Sequence, residues 1–180
     1  ISGRQGNILE YMNLSLEADL LPRTHAGGGE ADIVYYYPMT EYYPEHYLLL
    51  EVTLSENSTQ RRMEMEPVSR HLGEYILKTG NKNSYCIFIT TNLHRNVISD
   101  FIHRRNYEYY STSYSECVEG LKIIPLQTTT MKKLIKSNKK YFEIYDVFEK
   151  TYKSNEPIPT WYSNLEINLL NDNNTDKIKI

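Results

Sequence analysis

Residues 47–53 read YLLLEVT, an apolar run that ends in the carboxylate of Glu51. A short apolar run bounded by turn residues is typical of a β-strand inside a sheet. Successive side chains of a strand point to opposite faces of the sheet. One predicted face carries Leu48, Leu50, Val52 and Leu54, and the other carries Tyr47, Leu49, Glu51 and Thr53. We expect the first face to pack on the core, so that Glu51 leaves the core where the strand ends.

A second strand is predicted directly upstream. The glycine loop HAGGGEAD (residues 25–32) leads into the strand DIVYYYP (residues 32–38), and the turn EYYPEH (residues 41–46) follows. Two strands joined by so short a connection form a hairpin. The hairpin is expected to bring Asp32 and Glu51 to one edge of the sheet.

Asp32 and Glu51 together indicate a metal site. Two nearby carboxylates repel each other, and a divalent cation relieves that repulsion. Mg²⁺, for which Mn²⁺ can substitute, takes carboxylate, carbonyl and water oxygens, so the Val52 carbonyl is a further candidate ligand. The alternative is that Asp32 caps a turn and Glu51 is a solvated strand end.

The rest of the chain alternates helical and strand patterns. Predicted helices cover residues 5–20, 58–79, 93–102, 128–136 and 141–152, and predicted strands cover 85–91 and 121–126. Pro67 is expected to kink or split the second helix, which Ser58 begins and Gly80 ends. This order predicts an α/β fold with a central mixed β-sheet flanked by helices. Residues 1–154 form one predicted domain, and the polar residues 155–180 form a tail or docking segment.

Composition limits the classes of function. The 180 residues suit one domain with a core, and the net charge of −3 argues against a protein that binds nucleic acid through overall positive charge. No apolar stretch is long enough to span a membrane, and two cysteines without metal-binding spacing suit free, buried thiols in a bacterial cytoplasm. Lysines are concentrated in KKLIKSNKK (residues 132–140), which is either a solvated face or a surface that follows a phosphate backbone.

The order Asp32, then Glu51-Val52-Thr53, resembles the PD-(D/E)XK nuclease superfamily, with Thr53 in the place of the lysine. The predicted helix that follows carries Gln60 and Glu64, spaced by four and so on one face. That spacing alone is equally consistent with a charged, solvated helix.

Several segments, in order, are similar to the AlwI-like type IIS restriction endonucleases. They are LEYM (residues 9–12), HAGGGEADIVYY (25–36), LLLEVTL (48–54), QRRMEMEPVSRHL (60–72) and CIFITTNLHRNVISDF (86–101). The resemblance implies a restriction-endonuclease-like fold, with Glu10, Asp32, Glu51 and the Val52 carbonyl around a Mg²⁺ ion. It also implies that Glu64 acts with Asp32 and Glu51 in catalysis. Glu17 is the alternative to Glu10, because it lies two turns later on the same predicted helix.

The length is that of a cleavage domain without a recognition region. The chain therefore resembles the small subunit of a heterodimeric type IIS restriction endonuclease, whose large subunit recognises double-stranded DNA and by itself nicks one strand. The implied activity is metal-dependent hydrolysis of one DNA strand near the recognised site. The alternatives are a stand-alone PD-(D/E)XK repair or junction-resolving nuclease, and a non-catalytic docking subunit with a nuclease fold.

Thr53 is uncharged, so another group is expected to supply the positive charge that a lysine would bring. A lysine at this position would add positive charge beside the phosphate and help to orient the attacking water. The candidates that compensate are a second metal held partly by Glu64, a water ordered by Glu64 or Gln60, and the side chain of Arg61 or Arg62. The histidines of the resembling segments, His25, His71 and His94, are expected to be structural.

Overall fold

The structure is a computed structural model that describes residues 7–19, 22–24, 29–53 and 57–171, with the backbone alone for residues 8, 22–24 and 57–64. A 3₁₀ turn covers Ile8–Tyr11. The strands are β1 (Ser15–Leu16), β2 (Pro22–Thr24), β3 (Ile33–Tyr37), β4 (His46–Thr53), β5 (Tyr85–Thr90), β6 (Glu108–Tyr110), β7 (Cys117–Glu119) and β8 (Ile123–Gln127). The helices are α1 (Asn57–Thr79), α2 (Arg95–Arg104), α3 (Thr128–Lys136), α4 (Tyr141–Lys153) and α5 (Ile158–Leu170).

The central sheet has four strands in the order β3-β4-β5-β8. β3 is antiparallel to β4, whereas β5 and β8 continue the sheet in parallel. This arrangement confirms the predicted mixed sheet. Pro125 lies in β8, the edge strand, where a strand tolerates a residue without an N–H.

Helices cover the sheet on both faces. α1 lies on the face of β4 that carries Tyr47 and Glu51, where the Tyr47 and Tyr75 rings are 5.1 Å apart. α4 covers the opposite face at the other end of the strands, and the His46 Nε2 atom is 2.7 Å from the Tyr141 hydroxyl. β5 lies between these layers and is buried along its whole length, as its unbroken apolar sequence predicts.

The end of β4 does not follow the expected division into core and solvent faces. Val52 is 41% exposed, while Glu51 and Thr53 are buried. The reason is the placement of the helices, because α1 covers the face of Glu51 and the contacts of α4 lie at the far end of the opposite face. Glu51 is therefore held inside the protein at the sheet edge.

The predicted helix over residues 5–20 is wrong in the described part of that range. The 3₁₀ turn ends at Tyr11, Met12 then bridges to Ile33, and β1 pairs with β2. The free edge of β3 offers backbone partners that a helix would forgo, and the Asn13 N–H donates to the Asp32 carbonyl at 2.9 Å. These tertiary contacts outweigh a weak helical stripe.

Smaller differences concern element boundaries and a hairpin. Pro67 lies inside α1 without splitting it, since buried side chains after it hold the following turns on the sheet. The hairpin formed by β6 and β7 was not predicted. Cys86 is buried as expected, but Cys117 is exposed. α1 begins at Asn57, one residue before the predicted cap Ser58, whose side chain is not among those described. The predicted strand end at Leu54 lies outside the described residues. No helix in the described residues is long and apolar enough to cross a membrane.

The segment after residue 154 contains α5, a helix that the sequence did not predict. It buries Trp161, Leu165 and Leu169 in the main core and contacts α2, α3 and α4. The Trp161 Nε1–H also donates to the Thr151 carbonyl at 2.8 Å, which joins α5 to α4. The domain boundary at residue 154 and a docking role for residues 155–180 stay predictions.

Leu165→Ala should lower the free energy of unfolding by about 2–5 kcal/mol, because Leu165 is fully buried and its removal leaves a cavity. Ile167→Ala on the same helix should change it by less than about 0.5 kcal/mol, because Ile167 is 48% exposed. Denaturant titration measures both values. Equal effects of the two substitutions would show that α5 does not pack as described.

A charged network joins α4 to β5 and its neighbours. Glu149 accepts hydrogen bonds from the Tyr85 hydroxyl, from Lys122 Nζ at 3.0 Å and from Lys153 Nζ at 2.8 Å. Burial by itself raises the pKa of Glu149, but the hydrogen bonds from Lys153, Tyr85 and Lys122 outweigh it and lower that pKa to about 2.

Because the pKa of Glu149 is lower in the folded chain than in the unfolded chain, the stability of the fold depends on pH in the acidic range. Between the ordinary value of 4.5 and about 2, the unfolded chain binds a proton at Glu149 and the folded chain does not. The contribution of Glu149 is therefore complete above pH 4.5 and is lost as the pH falls toward 2. Glu149→Gln should lower the melting temperature at neutral pH and flatten its acid dependence. Asp146→Asn, in an exposed pair with Lys150, is the control that should leave the profile unchanged.

Candidate active site

The hairpin places Asp32 and Glu51 on neighbouring strands at the edge of the central sheet. Ile33 pairs with Leu50, so the next residues along, Asp32 and Glu51, face each other across the two strands. Asp32 Oδ2 accepts a hydrogen bond from the Val52 N–H at 2.9 Å. The two acids are only 4% and 8% exposed, so both belong to the protein interior rather than to a solvated strand end.

The buried thiol of Cys86 lies within the electrostatic influence of both acids. Burial, followed by the negative charges of Glu51 and Asp32, raises the pKa of the Cys86 thiol well above its ordinary value. Cys86 lies on β5 and pairs with Leu49 of β4. The negative charges of both carboxylates therefore act on the same thiol. The thiol therefore stays protonated and adds no third negative charge to this region.

His71 contacts Glu51 of the acid pair, a contact that the sequence interpretation did not anticipate. Its Nδ1 atom is 2.6 Å from Glu51 Oε1, and the side chains of His71 and Glu51 are 12% and 11% exposed. The sequence does carry one related pattern, which is a matching spacing of four residues on the strand and on the helix. Tyr47 and Glu51 share a strand face, and Tyr75 and His71 share a helix face, so the Tyr47–Tyr75 contact implies the second contact.

A cleft of about 390 Å³ opens beside His71. Glu10, Glu30 and Glu74 line it together with Lys78 and several tyrosines. Glu10 lies in the 3₁₀ turn, and Asn13, two residues after that turn, donates its N–H to the Asp32 carbonyl. The described side chains of Glu10, Asp32 and Glu51 do not come together as a metal cluster. The exposed Glu10 carboxylate faces the same cleft as His71.

One wall of the cleft is fixed by the β6–β7 hairpin. Glu74 Oε1 accepts hydrogen bonds from the Tyr109 hydroxyl at 2.8 Å and from the Ser111 hydroxyl. The Tyr109 ring also packs so closely on Gly73 that a Cβ atom there would lie 2.2 Å from it. The hairpin is therefore seated on α1 at a position where only glycine fits.

The position of the expected lysine holds a buried, uncharged residue. Thr53 is 4% exposed and pairs with Thr90, which in turn pairs with Gln127 of β8. These residues form a polar row across the carboxyl edge of the sheet, and α3 begins directly after Gln127. The side chains of Gln60, Arg61, Arg62 and Glu64 lie outside the described residues, so the structure gives no position for them.

The donors at the sheet edge fit a hard cation. Asp32 and Glu51 supply carboxylate oxygens, and Val52 supplies a backbone carbonyl. Among the described residues, no three His, Cys, Asp or Glu side chains form a metal cluster. Mg²⁺ does not require one, because it binds through one or two carboxylates and completes its octahedral shell with waters and substrate phosphates.

Two comparisons with known proteins both find restriction endonucleases. The model of the AlwI restriction endonuclease family matches residues 1–134. The fold is similar to that of the small subunit of the heterodimeric restriction endonuclease R.BspD6I, with a TM-score of 0.64 and 23% sequence identity. The match covers 87% of this chain and 78% of that one. No curated protein matches the sequence.

Proposed function

Because the chain belongs to the AlwI restriction endonuclease family, we propose that it is the small catalytic subunit of a heterodimeric type IIS restriction endonuclease of the bacterial cytoplasm. It hydrolyses one strand of double-stranded DNA near a site that a large, nicking subunit recognises. The observation that carries the proposal is the pair of buried acids, Asp32 and Glu51, at the end of β4. Buried like charges are costly unless a cation or a proton compensates them, which argues against a purely structural role.

Several residues of the chain have separate proposed roles at the scissile phosphate. Asp32, Glu51 and the Val52 carbonyl would hold a Mg²⁺ ion, and the family resemblance adds Glu10 as a further ligand. When held there, such an ion would polarise the phosphodiester and lower the pKa of the attacking water. Thr53 brings no positive charge to the phosphate, so the cation that the acids would hold has to supply more of that charge than in enzymes with a lysine there. Glu64 acts with Asp32 and Glu51 in this proposal.

Metal dependence tests the proposal. Mg²⁺ or Mn²⁺ should support cleavage by this chain together with its large subunit, and Ca²⁺ should bind without supporting it. Binding to the folded state alone should stabilise the chain by about 2.7 kcal/mol at an ion concentration of 100 times the dissociation constant. Calorimetry and thermal denaturation, each with and without a short duplex, measure the binding. An absence of divalent-ion binding in both settings would remove the metal site.

One observation favours the stand-alone nuclease as a second candidate. α3 begins at the carboxyl edge of the sheet, and it exposes Lys132, Lys133 and Lys136. Lysines on one helix could neutralise phosphates without a partner, which would make DNA binding salt-dependent. A chain that used this surface alone would cut DNA in the absence of a large subunit.

A further inference from the structure

The Glu51 carboxylate is held by a residue on another element, His71 of α1. Its Oε1 atom lies 2.6 Å from His71 Nδ1, a distance within the range of a strong hydrogen bond. A carboxylate has no hydrogen to give, so the imidazole Nδ1–H is the donor. This assigns the proton on Nδ1 whether or not the ring is charged.

The rigidity of the two elements makes this contact precise. His71 lies near the middle of α1, and its helix neighbours Val68 and Leu72 are buried in the core. Glu51 lies on β4, which pairs with a strand on each side. A hydrogen bond to one carboxylate oxygen between two fixed elements sets the rotation of the whole group, and so the direction of its other oxygen. Metal-binding carboxylates generally depend on such partners for their orientation.

We propose that His71 is a positioning residue that holds the Glu51 carboxylate in the orientation required to bind the divalent cation. The proposal rests on the proposed function, since it takes Glu51 as a metal ligand. It assigns His71 no contact with substrate, and it needs no change in the charge of the ring. It also adds to the site a second residue of α1, after Glu64 of the proposed function.

Three substitutions separate positioning from packing. Asparagine places its amide N–H near the position of Nδ1, whereas glutamine places it farther out, near the position of Nε2. His71→Asn should therefore keep most of the metal affinity, while His71→Gln and His71→Ala should weaken it by about 10–100-fold. His103→Asn, on the exposed surface of α2, is the matched control and should bind as the wild type does.

The experiment is calorimetric titration of Mn²⁺ into the full chain with a short duplex, alongside the melting temperature of each variant without metal. Reduced affinity in a folded His71→Gln variant, with recovery in His71→Asn, supports the proposal. Wild-type affinity in both His71→Gln and His71→Ala overturns it and leaves the nuclease assignment standing. A wild-type chain that binds no Mn²⁺ overturns both. Should His71→Ala fail to fold, the comparison of asparagine with glutamine decides.

Discussion

Asp32→Asn and Glu51→Gln should each reduce strand cleavage by about 10³-fold or more, because a lost metal ion removes several kcal/mol of charge stabilisation from the transition state. The neutral amides are the informative replacements. Asp32 also accepts the Val52 N–H, and asparagine keeps an oxygen there that alanine would remove. A cleavage assay of the chain with its large subunit measures the rate.

Stability measurements separate catalysis from folding in these variants. Without metal, neither substitution should lower the melting temperature, since each relieves repulsion between two buried carboxylates. Glu45→Gln, at an exposed turn next to β4, is the control and should keep full activity. A variant of Asp32 or Glu51 that cuts at the wild-type rate would remove that residue from the site. A large loss of stability would instead show that the acid has a structural role.

The second large effect concerns the partner. Alone, the chain should show little or no sequence-specific cleavage, because its net charge of −3 gives weak attraction to phosphates. A large subunit bound at its site would raise the effective concentration of this chain to the order of millimolar. Adding the chain to the large subunit should therefore convert nicked plasmid into linear plasmid, as electrophoresis resolves.

Mixing variants tests whether this chain supplies the second cut. With Asp32→Asn in this chain, the mixture should return to nicking one strand while the complex still forms. Wild-type large subunit alone gives the reference level of nicking. Efficient sequence-specific cleavage by this chain in isolation would overturn the partner model and favour the stand-alone nuclease.

Local signals explain why the sheet and the acid pair could be predicted. The apolar run that became β5, the short turn between β3 and β4, and the apolar stripe of α1 all depend on residues close in sequence. The mixed sheet follows from their order, and this was confirmed. The register of the hairpin then placed Asp32 beside Glu51, as predicted, although the functional role of both stays a prediction.

Long-range contacts explain the failures. The N-terminal residues carry a helical stripe, yet the free edge of β3 captures Met12 and Asn13. α5 was not predicted, because its sequence begins with prolines and is followed by a polar, Asn-rich segment, which obscures its buried stripe of Trp161, Leu165 and Leu169. The contact between His71 and Glu51 was not predicted, because the spacing along a helix and a strand gives their faces but not which faces meet. Each error concerns a partner distant in sequence.

Both edges of the central sheet are protected against strand addition. Pro125 offers no N–H to an incoming strand beside β8, and the bridge between Met12 and Ile33 occupies part of the outer side of β3. Open edges are the usual route to β-augmentation and to aggregation. Within the part of the chain that the structure describes, we therefore expect a second protein chain to bind through side chains of helices and loops and not by extending the central sheet.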